Sequence, residues 1–349
     1  MADASVTTAP AIAATLRRLA PGFLFSALVA VLAVVGAPWV ARVITIPAMV
    51  LALLIGIALN TVAARPIFQP GLVFCVKQLL RWAVALLGLR IALGDIAALG
   101  LGTGVVVVVS MAVTIAAGFL AARALGLPSP YGALAGVGTA VCGASATLAT
   151  SAVLPDYTGR DADVVFVVVA VNALATLAMV IYPPLDAALG FNAQTTGVML
   201  GATIHDVAQV VGAGYAVSDV AGNTAVIVKL FRVFLLLPVV LGIGWWFARR
   251  GPVARAASVP VPVFAFVFLA LCVLNSVLPS FAAVAPLYAK VKTVLVEAST
   301  DGLLIAIGAL GLGTSVSAIG TLGWRHIATV GATTLVILVV ATAGLALIG

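Results

Sequence analysis

Charged residues are scarce in this sequence: Lys, Arg, Asp and Glu make up 8% of its 349 residues, whereas 64% are hydrophobic. An ordinary soluble domain carries roughly 25% charged residues. So few charges cannot cover the surface of a water-soluble globule, which excludes a cytosolic enzyme, a nucleic-acid-binding domain and a secreted disulfide scaffold. The class that remains is an all-α polytopic membrane protein. The net charge of +7 is then explained by basic loops that orient the spans and contact anionic lipid.

Several chemical motifs are missing as well. The sequence has no P-loop, no HExxH and no Cys/His set with metal-ligand spacing, and no apolar run has paired aspartates at its centre. Its three cysteines, Cys75, Cys142 and Cys272, lie in apolar runs, and an odd number gives no disulfide framework. We therefore predict no enzyme, no metal site and no cofactor, apart from Na⁺ or H⁺ as a coupling ion.

Long apolar runs are what the sequence has instead, and about 20 residues suffice to cross the hydrocarbon core. They predict eleven spans: 22–40, 43–60, 71–93, 98–121, 130–153, 162–182, 195–217, 223–247, 260–279, 286–319 and 324–348. The first run follows Arg17 and Arg18, as in a signal peptide, but its length and Pro38 favour a retained span. The distribution of basic residues between loops favours a cytoplasmic N-terminus.

Two short segments recur in the same order. GVGTAV (136–141) resembles GLGTSV (311–316), and VKQLLR (76–81) resembles VKLFR (228–232). These matches place spans 2–6 opposite spans 7–11, and a unit of five spans must be inverted relative to its copy. Inverted repeats are typical of secondary transporters.

The resulting domain prediction treats the membrane part as one unit. Residues 1–21 form an N-terminal tail, and residues 22–349 form a single membrane transport domain. Within it, an extra first helix (22–42) precedes repeat one (43–185) and repeat two (190–349).

Glycines and small hydroxyl residues cluster in spans 5 and 10, around 132–145 and 308–317. Glycine weakens a helix, and unwound backbone in lipid is tolerated only where protein buries it or water lines it. One interpretation is two crossed, discontinuous helices whose half-helix N-termini bind an anion. The alternative is close helix packing through small residues.

Span 7 contains His205, Asp206 and Gln209. Ionisable groups at membrane depth usually face a cavity or a partner. His205 could carry a coupling proton. Alternatively, the three residues form a structural polar cluster in which Lys229 or Arg232 neutralises Asp206.

Basic pairs stand at the two copies of the second repeated segment: Lys77 with Arg81, and Lys229 with Arg232. Snorkelling to the headgroups is favoured for Lys77. For Lys229 we favour an electropositive vestibule that draws anions toward the site.

The segments GTAVCGASAT (138–147), ATIHDVAQVVGAG (202–214) and LGLGTSVSAIGTLGWRH (310–326) resemble the YeiH-type sulfate exporter family. That resemblance implies a bacterial inner-membrane carrier, distantly similar to the bile-acid/arsenite/riboflavin transporter fold. It further implies that spans 5 and 10 cross, with a core of spans 4–6 and 9–11 and a panel of spans 2, 3, 7 and 8.

These patterns together predict a secondary transporter of a small anion, sulfate or an organic sulfonate, that works by alternating access and is coupled to H⁺ or Na⁺. The predicted partners are that anion, membrane lipids and a second copy in a homodimer. The predicted substrate-binding residues are Gly138, Thr139, Cys142, Gly143, Ser145, Gly313, Thr314, Ser315, Lys229 and Arg232. The predicted coupling residues are His205, Asp206, Gln209 and Asn172. One alternative is a cation-coupled carrier of an organic solute, with Na⁺ bound by unwound carbonyls, Thr139, Ser145 and Asn172. Another is an intramembrane enzyme that uses Cys142.

Overall fold

The computed structural model describes residues 8–42, 47–249, 262–281, 284–314 and 323–348, and these residues form helices joined by turns, with no strand among them. The helices are α1 (Thr8–Val40), α2 (Ala48–Ala58), α3 (Asn60–Ala63), α4 (Gln69–Phe74), α5 (Leu80–Leu86), α6 (Leu93–Ala98), α7 (Gly100–Ala124), α8 (Ser129–Ala140), α9 (Ala144–Ser151), α10 (Arg160–Leu189), α11 (Ala193–Thr203), α12 (Val207–Val217), α13 (Asp219–Phe234), α14 (Leu236–Ala248), α15 (Val263–Val277), α16 (Ala285–Gly313) and α17 (Trp324–Ile348). A single π-helical turn, Cys75–Leu79, joins α4 to α5. Helices are expected here because every backbone polar group in lipid must be paired internally.

Eight helical segments of the described chain are long and apolar enough to cross a membrane. They are Ala14–Val40, Gln69–Arg90, Gly100–Ala124, Arg160–Leu189, Asp219–Ala248, Val263–Ser280, Ala285–Gly313 and Trp324–Ile348. The all-helical membrane class is confirmed. The three other predicted spans fall on the short α2 and on the helix pairs α8/α9 and α11/α12. The exact number of eleven spans and the inverted repeat therefore stay predictions.

Helix α1 begins at Thr8, within the segment 1–21 that is predicted to be an N-terminal tail, and residues 1–7 lie outside the described part. Pro21 and Pro38 both lie within this helix. Each proline removes one main-chain hydrogen-bond donor, and the helix continues through both.

The helices fall into two compact units. One contains α1–α5 and α16, and the other contains α6–α15 and α17. In this grouping α11–α14 (spans 7 and 8) lie with spans 4–6, while α16, the described part of span 10, lies with spans 1–3. The panel and core that the resemblance implies stay predictions.

In the first unit, α16 packs against α2 through glycines. A Cβ on Gly311 would lie 2.3 Å from the carbonyl oxygen of Leu53, and one on Gly56 would lie 2.6 Å from that of Gly308. Asn60 donates from Nδ2 to the carbonyl of Leu312 at 2.7 Å. Helix α16 is continuous through Gly308 to Gly313. Close packing explains Gly308 and Gly311. The helix ends at Gly313, inside the segment 308–317 where the sequence predicts an interruption, and because residues 315–317 lie outside the described part, that interruption stays a prediction.

In the second unit, α13 packs against α11 and α12, and α7 packs against α8 and α17. Ser218 caps α13 by accepting from the backbone N–H of Ala221 at 3.1 Å. Helix α13 then carries a largely buried face from Ala221 to Val233. This arrangement places Lys229 and Arg232 inside the unit.

Candidate functional site: two broken helices joined by buried cations

The first broken helix is the one that the sequence predicts in span 5. Helix α8 ends at Ala140, α9 begins at Ala144, and the residues between them form a turn. Gly143 has φ +65° and ψ −125°, a conformation that essentially only glycine adopts without strain. The interruption predicted within 136–145 is confirmed. It leaves the last carbonyls of α8 without the N–H partners that a continuing helix would supply.

A second broken helix lies in span 7, where the sequence indicates only a polar cluster. Helix α11 ends at Thr203, and α12 begins at Val207. Asp206 caps α12, because its carboxylate accepts from the N–H of Ala208 at 3.0 Å. The signal that could have revealed this break is an aspartate, a strongly preferred N-cap residue, inside an apolar run.

The two breaks adjoin each other. A Cβ on Gly143 would lie 3.6 Å from the carbonyl oxygen of His205 and 3.8 Å from Cβ of Asp206. At its break, span 5 therefore lies against span 7. Residues 315–319 of span 10 lie outside the described part, so the crossing of spans 5 and 10 that the family resemblance implies stays a prediction.

Lys229 lies on α13, next to the two breaks, and is fully buried. Its Nζ donates to the carbonyl of Val141 at 2.7 Å, to that of Ile204 at 2.9 Å, and also to that of His205. An ammonium group has three N–H donors and no acceptor. Its hydrogen-bonding capacity is thus filled by main-chain oxygens from both breaks.

Arg232, three residues further along α13, is also fully buried. It donates from Nε to Ala140 at 2.9 Å and from Nη2 to Thr139 at 2.9 Å, both at the end of α8. Its Nη1 donates to Gly201 at 2.8 Å and to Ile204 at 3.0 Å, at the end of α11. The rigid guanidinium fork therefore ties the two half-helix C-termini together.

Close packing of α11 on α13 makes these contacts reachable. A Cβ on Gly201 would lie 2.5 Å from the carbonyl oxygen of Ala225, so only glycine allows the two backbones to approach so closely. The glycines of span 7 thus bring the carbonyl end of α11 within reach of Arg232.

Hydroxyl groups from two further helices contact the two breaks. On α17, Thr333 Oγ1 lies 2.9 Å from Thr139 Oγ1, and Thr334 Oγ1 lies 3.0 Å from His205 Nε2. On α10, Thr176 Oγ1 accepts from Gln209 Nε2 at 3.3 Å. Sequence reasoning missed these three threonines, because a threonine in an apolar helix usually bonds only to its own backbone.

The predicted coupling residues surround this same place. His205 and Gln209 are fully buried, and Asp206 is partly buried. In the described structure, Oε1 of Gln209 is a buried oxygen without a hydrogen-bond partner. Asn172 lies one turn before Thr176 on α10, and its carbonyl accepts from the Thr176 hydroxyl at 3.0 Å.

The predicted substrate-binding residues are only partly brought together. Cys142 is a free, buried thiol in the first break, and Ser145 is exposed in the first turn of α9. Gly313 and Thr314 stand at the end of α16, where the Thr314 hydroxyl donates to the carbonyl of Leu310 at 2.8 Å. Ser315 lies outside the described residues. The roles assigned to these residues stay predictions.

A separate polar cluster lies near the N-termini of α8, α10 and α17. His326 Nε2 lies 3.2 Å from Asp163 Oδ1, and Tyr131 donates to the carbonyl of His326 at 2.9 Å. Tyr157, in the loop before α10, donates to Asp163 Oδ2 at 3.0 Å. Burial, together with the nearby Asp163 carboxylate, raises the pKa of the Tyr157 hydroxyl. Sequence reasoning gave this cluster no role, and the structure shows it linking three helices.

The fold and the site define a class: multi-pass helical membrane proteins in which two interrupted helices meet inside the bundle. A family model described as Conserved hypothetical protein 698 matches residues 21–330. The chain belongs to this family, which confirms the resemblance drawn from the sequence.

Named relatives cover most of the chain. It is 43% identical over 335 residues to the UPF0324 membrane protein TauZ of Paracoccus pantotrophus, covering 94% of this chain and 95% of the relative. It is 33% identical over 286 residues to the UPF0324 inner membrane protein YeiH of Salmonella typhi, covering 79% of this chain and 78% of the relative. No solved structure matches the chain significantly. The protein is thus a multi-pass protein of the bacterial inner membrane.

Proposed function

We propose that the protein is a secondary transporter of a small anion, held where α9 and α12 begin. The observation that best supports this is the meeting of two broken helices whose C-terminal carbonyls are bound by Lys229 and Arg232. Broken helices near the membrane midplane form the substrate sites of many secondary transporters.

The charges at the two breaks favour an anion. The C-termini of α8 and α11 carry together about one elementary negative charge, and the N-termini of α9 and α12 carry about one positive charge. Lys229 and Arg232 add two positive charges, and Asp206 adds one negative charge. An excess of about one positive charge remains, which a bound anion would offset.

Backbone N–H groups are the proposed ligands. Gly143 stands at the N-cap position of α9 and has no side chain with which to cap the helix. The N–H groups of the first turn of α9 and the exposed hydroxyl of Ser145 can then hydrogen-bond to the oxygens of an oxyanion. Sulfate and organic sulfonates are the proposed substrates, because their several oxygens suit such a cradle. Lys229 and Arg232 act in this proposal through their charge.

Coupling to a proton is the proposed driving force. His205 and Asp206 belong to the second break, and Gln209 follows in the first turn of α12. A change in the protonation of His205 or Asp206 would alter the charge next to the anion. Alternating access would follow if these groups release their proton on one side of the membrane only.

The test is transport by the purified protein in proteoliposomes, with labelled sulfate and a labelled alkylsulfonate. Ser145→Ala should raise the KM for the transported anion. Ser151→Ala is the matched control at the far end of the same helix, where the hydroxyl donates to the Leu148 carbonyl at 2.8 Å, and it should transport normally. Folded protein that transports neither sulfate nor the alkylsulfonate would refute the proposal.

A further inference from the structure

The position of the Lys229 Nζ resembles a site for a small monovalent cation. Three main-chain carbonyl oxygens, from Val141, Ile204 and His205, converge on it. They come from the ends of two broken helices, where backbone oxygens lose their intrahelical partners. In sodium-coupled transporters, oxygens of this kind, from unwound segments and half-helix C-termini, coordinate the coupling ion.

The number of carbonyl acceptors around the Lys229 Nζ shows which charge state of the lysine fits the site. Three carbonyl oxygens require three donors, and an ammonium group has three N–H groups, whereas a neutral amine has two. Arg232 uses the neighbouring oxygens of Thr139, Ala140 and Gly201, and it shares that of Ile204. The carbonyls that could hold a metal ion at the two helix ends are thus engaged by side-chain cations.

We propose that the Lys229 ammonium is a built-in cation that occupies the position a coupling sodium ion would otherwise take, so that the folded protein needs no bound alkali cation. A tethered cation holds the two broken ends together without drawing an ion from solution. The inference does not rest on the identity of the transported anion, since its readout is the unfolding temperature and not flux.

Removing the cation should create the ion site that the lysine fills. Lys229→Ala deletes the ammonium and its stem, leaving a cavity lined by three buried carbonyls. Small cations that can donate hydrogen bonds or coordinate oxygen, such as methylammonium, ammonium and Na⁺, should enter it. Lys229→Met is the matched variant, because its side chain fills the stem volume but carries no charge and leaves little room.

The experiment is thermal unfolding of the detergent-solubilised protein at constant ionic strength, with choline replaced stepwise by Na⁺, K⁺, ammonium or methylammonium. We expect the wild-type melting temperature to be the same in all five salts. Lys229→Ala should melt lower in choline and recover in a saturable manner, most strongly with methylammonium. Lys229→Met should recover less, and Lys77→Ala, which alters an exposed lysine, should behave like the wild type.

Two results would overturn the proposal. One is a folded Lys229→Ala variant whose melting temperature responds to no small cation. The other is a wild-type melting temperature that rises saturably with Na⁺. Because the wild-type titration needs no variant, it decides the question even if Lys229→Ala cannot be purified: an unchanged melting temperature supports the built-in cation, and a rise rejects it.

Discussion

Replacing Arg232 tests whether the two broken helices depend on buried cations for their stability. Its guanidinium makes four hydrogen bonds to carbonyl oxygens and is fully buried. Arg232→Met keeps an apolar stem of similar length but removes every donor. The carbonyls of Thr139, Ala140 and Gly201 lose these donors, while Ile204 keeps its bond from Lys229.

The expected cost follows from those orphaned oxygens. Leaving a buried acceptor unsatisfied costs about 1–3 kcal/mol, and three carbonyls lose their donor in this variant. We therefore expect Arg232→Met to lower the free energy of unfolding by roughly 3–5 kcal/mol, toward the lower end of the range for three such oxygens. That is a large share of the ~5–15 kcal/mol typical of folded proteins. Arg232→Lys keeps the charge but loses the planar fork, so about 1–3 kcal/mol is expected.

Thermal unfolding in detergent measures these effects. The melting temperature should fall on the order of 10 °C for Arg232→Met, and by less for Arg232→Lys. Arg81→Met is the matched control, because Arg81 is exposed near the start of α5, and a change of no more than about 0.5 kcal/mol is expected there. If Arg232→Met melts within ~1 °C of Arg81→Met, the buried guanidinium does not hold the two breaks together.

Three further substitutions examine other parts of the structure. Gly143→Ala forces a side chain into a glycine-only conformation and should lower the free energy of unfolding by about 1–3 kcal/mol. The control Gly104→Ala, in the open interior of α7, should be neutral or stabilising. Equal effects of the two substitutions on the melting temperature would show that the backbone conformation at Gly143 does not require glycine. Cys142→Ala should retain anion flux in proteoliposomes, because the proposed transport uses no thiol chemistry, whereas loss of all flux at an unchanged melting temperature would favour a chemical role for the thiol. The raised pKa of Tyr157 means that the unfolded chain loses this proton near pH 10 while the folded protein keeps it, so stability should fall as the pH rises above about 10. Tyr157→Phe should make that fall shallower, and an identical pH profile would show that the buried hydroxyl does not contribute.

The first break shows how far local sequence can predict a site. The glycines of span 5 indicated an interruption, and the helix is broken beside Gly143. A positive φ at a glycine is a local property of the backbone, so local sequence carries a signal for it. Similar glycines at 308 and 311 gave the opposite outcome, because they pack α16 against α2 and the helix continues. Glycine permits both unwinding and close approach, and only the neighbouring helix decides between them.

The scarcity of charge and the long apolar runs by themselves determined that this is a multi-pass helical membrane protein, because a chain with so few charges cannot cover a water-facing surface and a backbone in lipid must pair internally. The tertiary structure alone decided what Lys229 and Arg232 do. Their partners are main-chain carbonyls at two helix ends. The seven contacts join residues that lie 24 to 93 positions apart in the sequence. Every residue has a carbonyl, so no sequence pattern marks the ones that become available. These carbonyls lack an intrahelical partner only where two helices break at the same place. Whether the breaks coincide depends on how the whole unit packs.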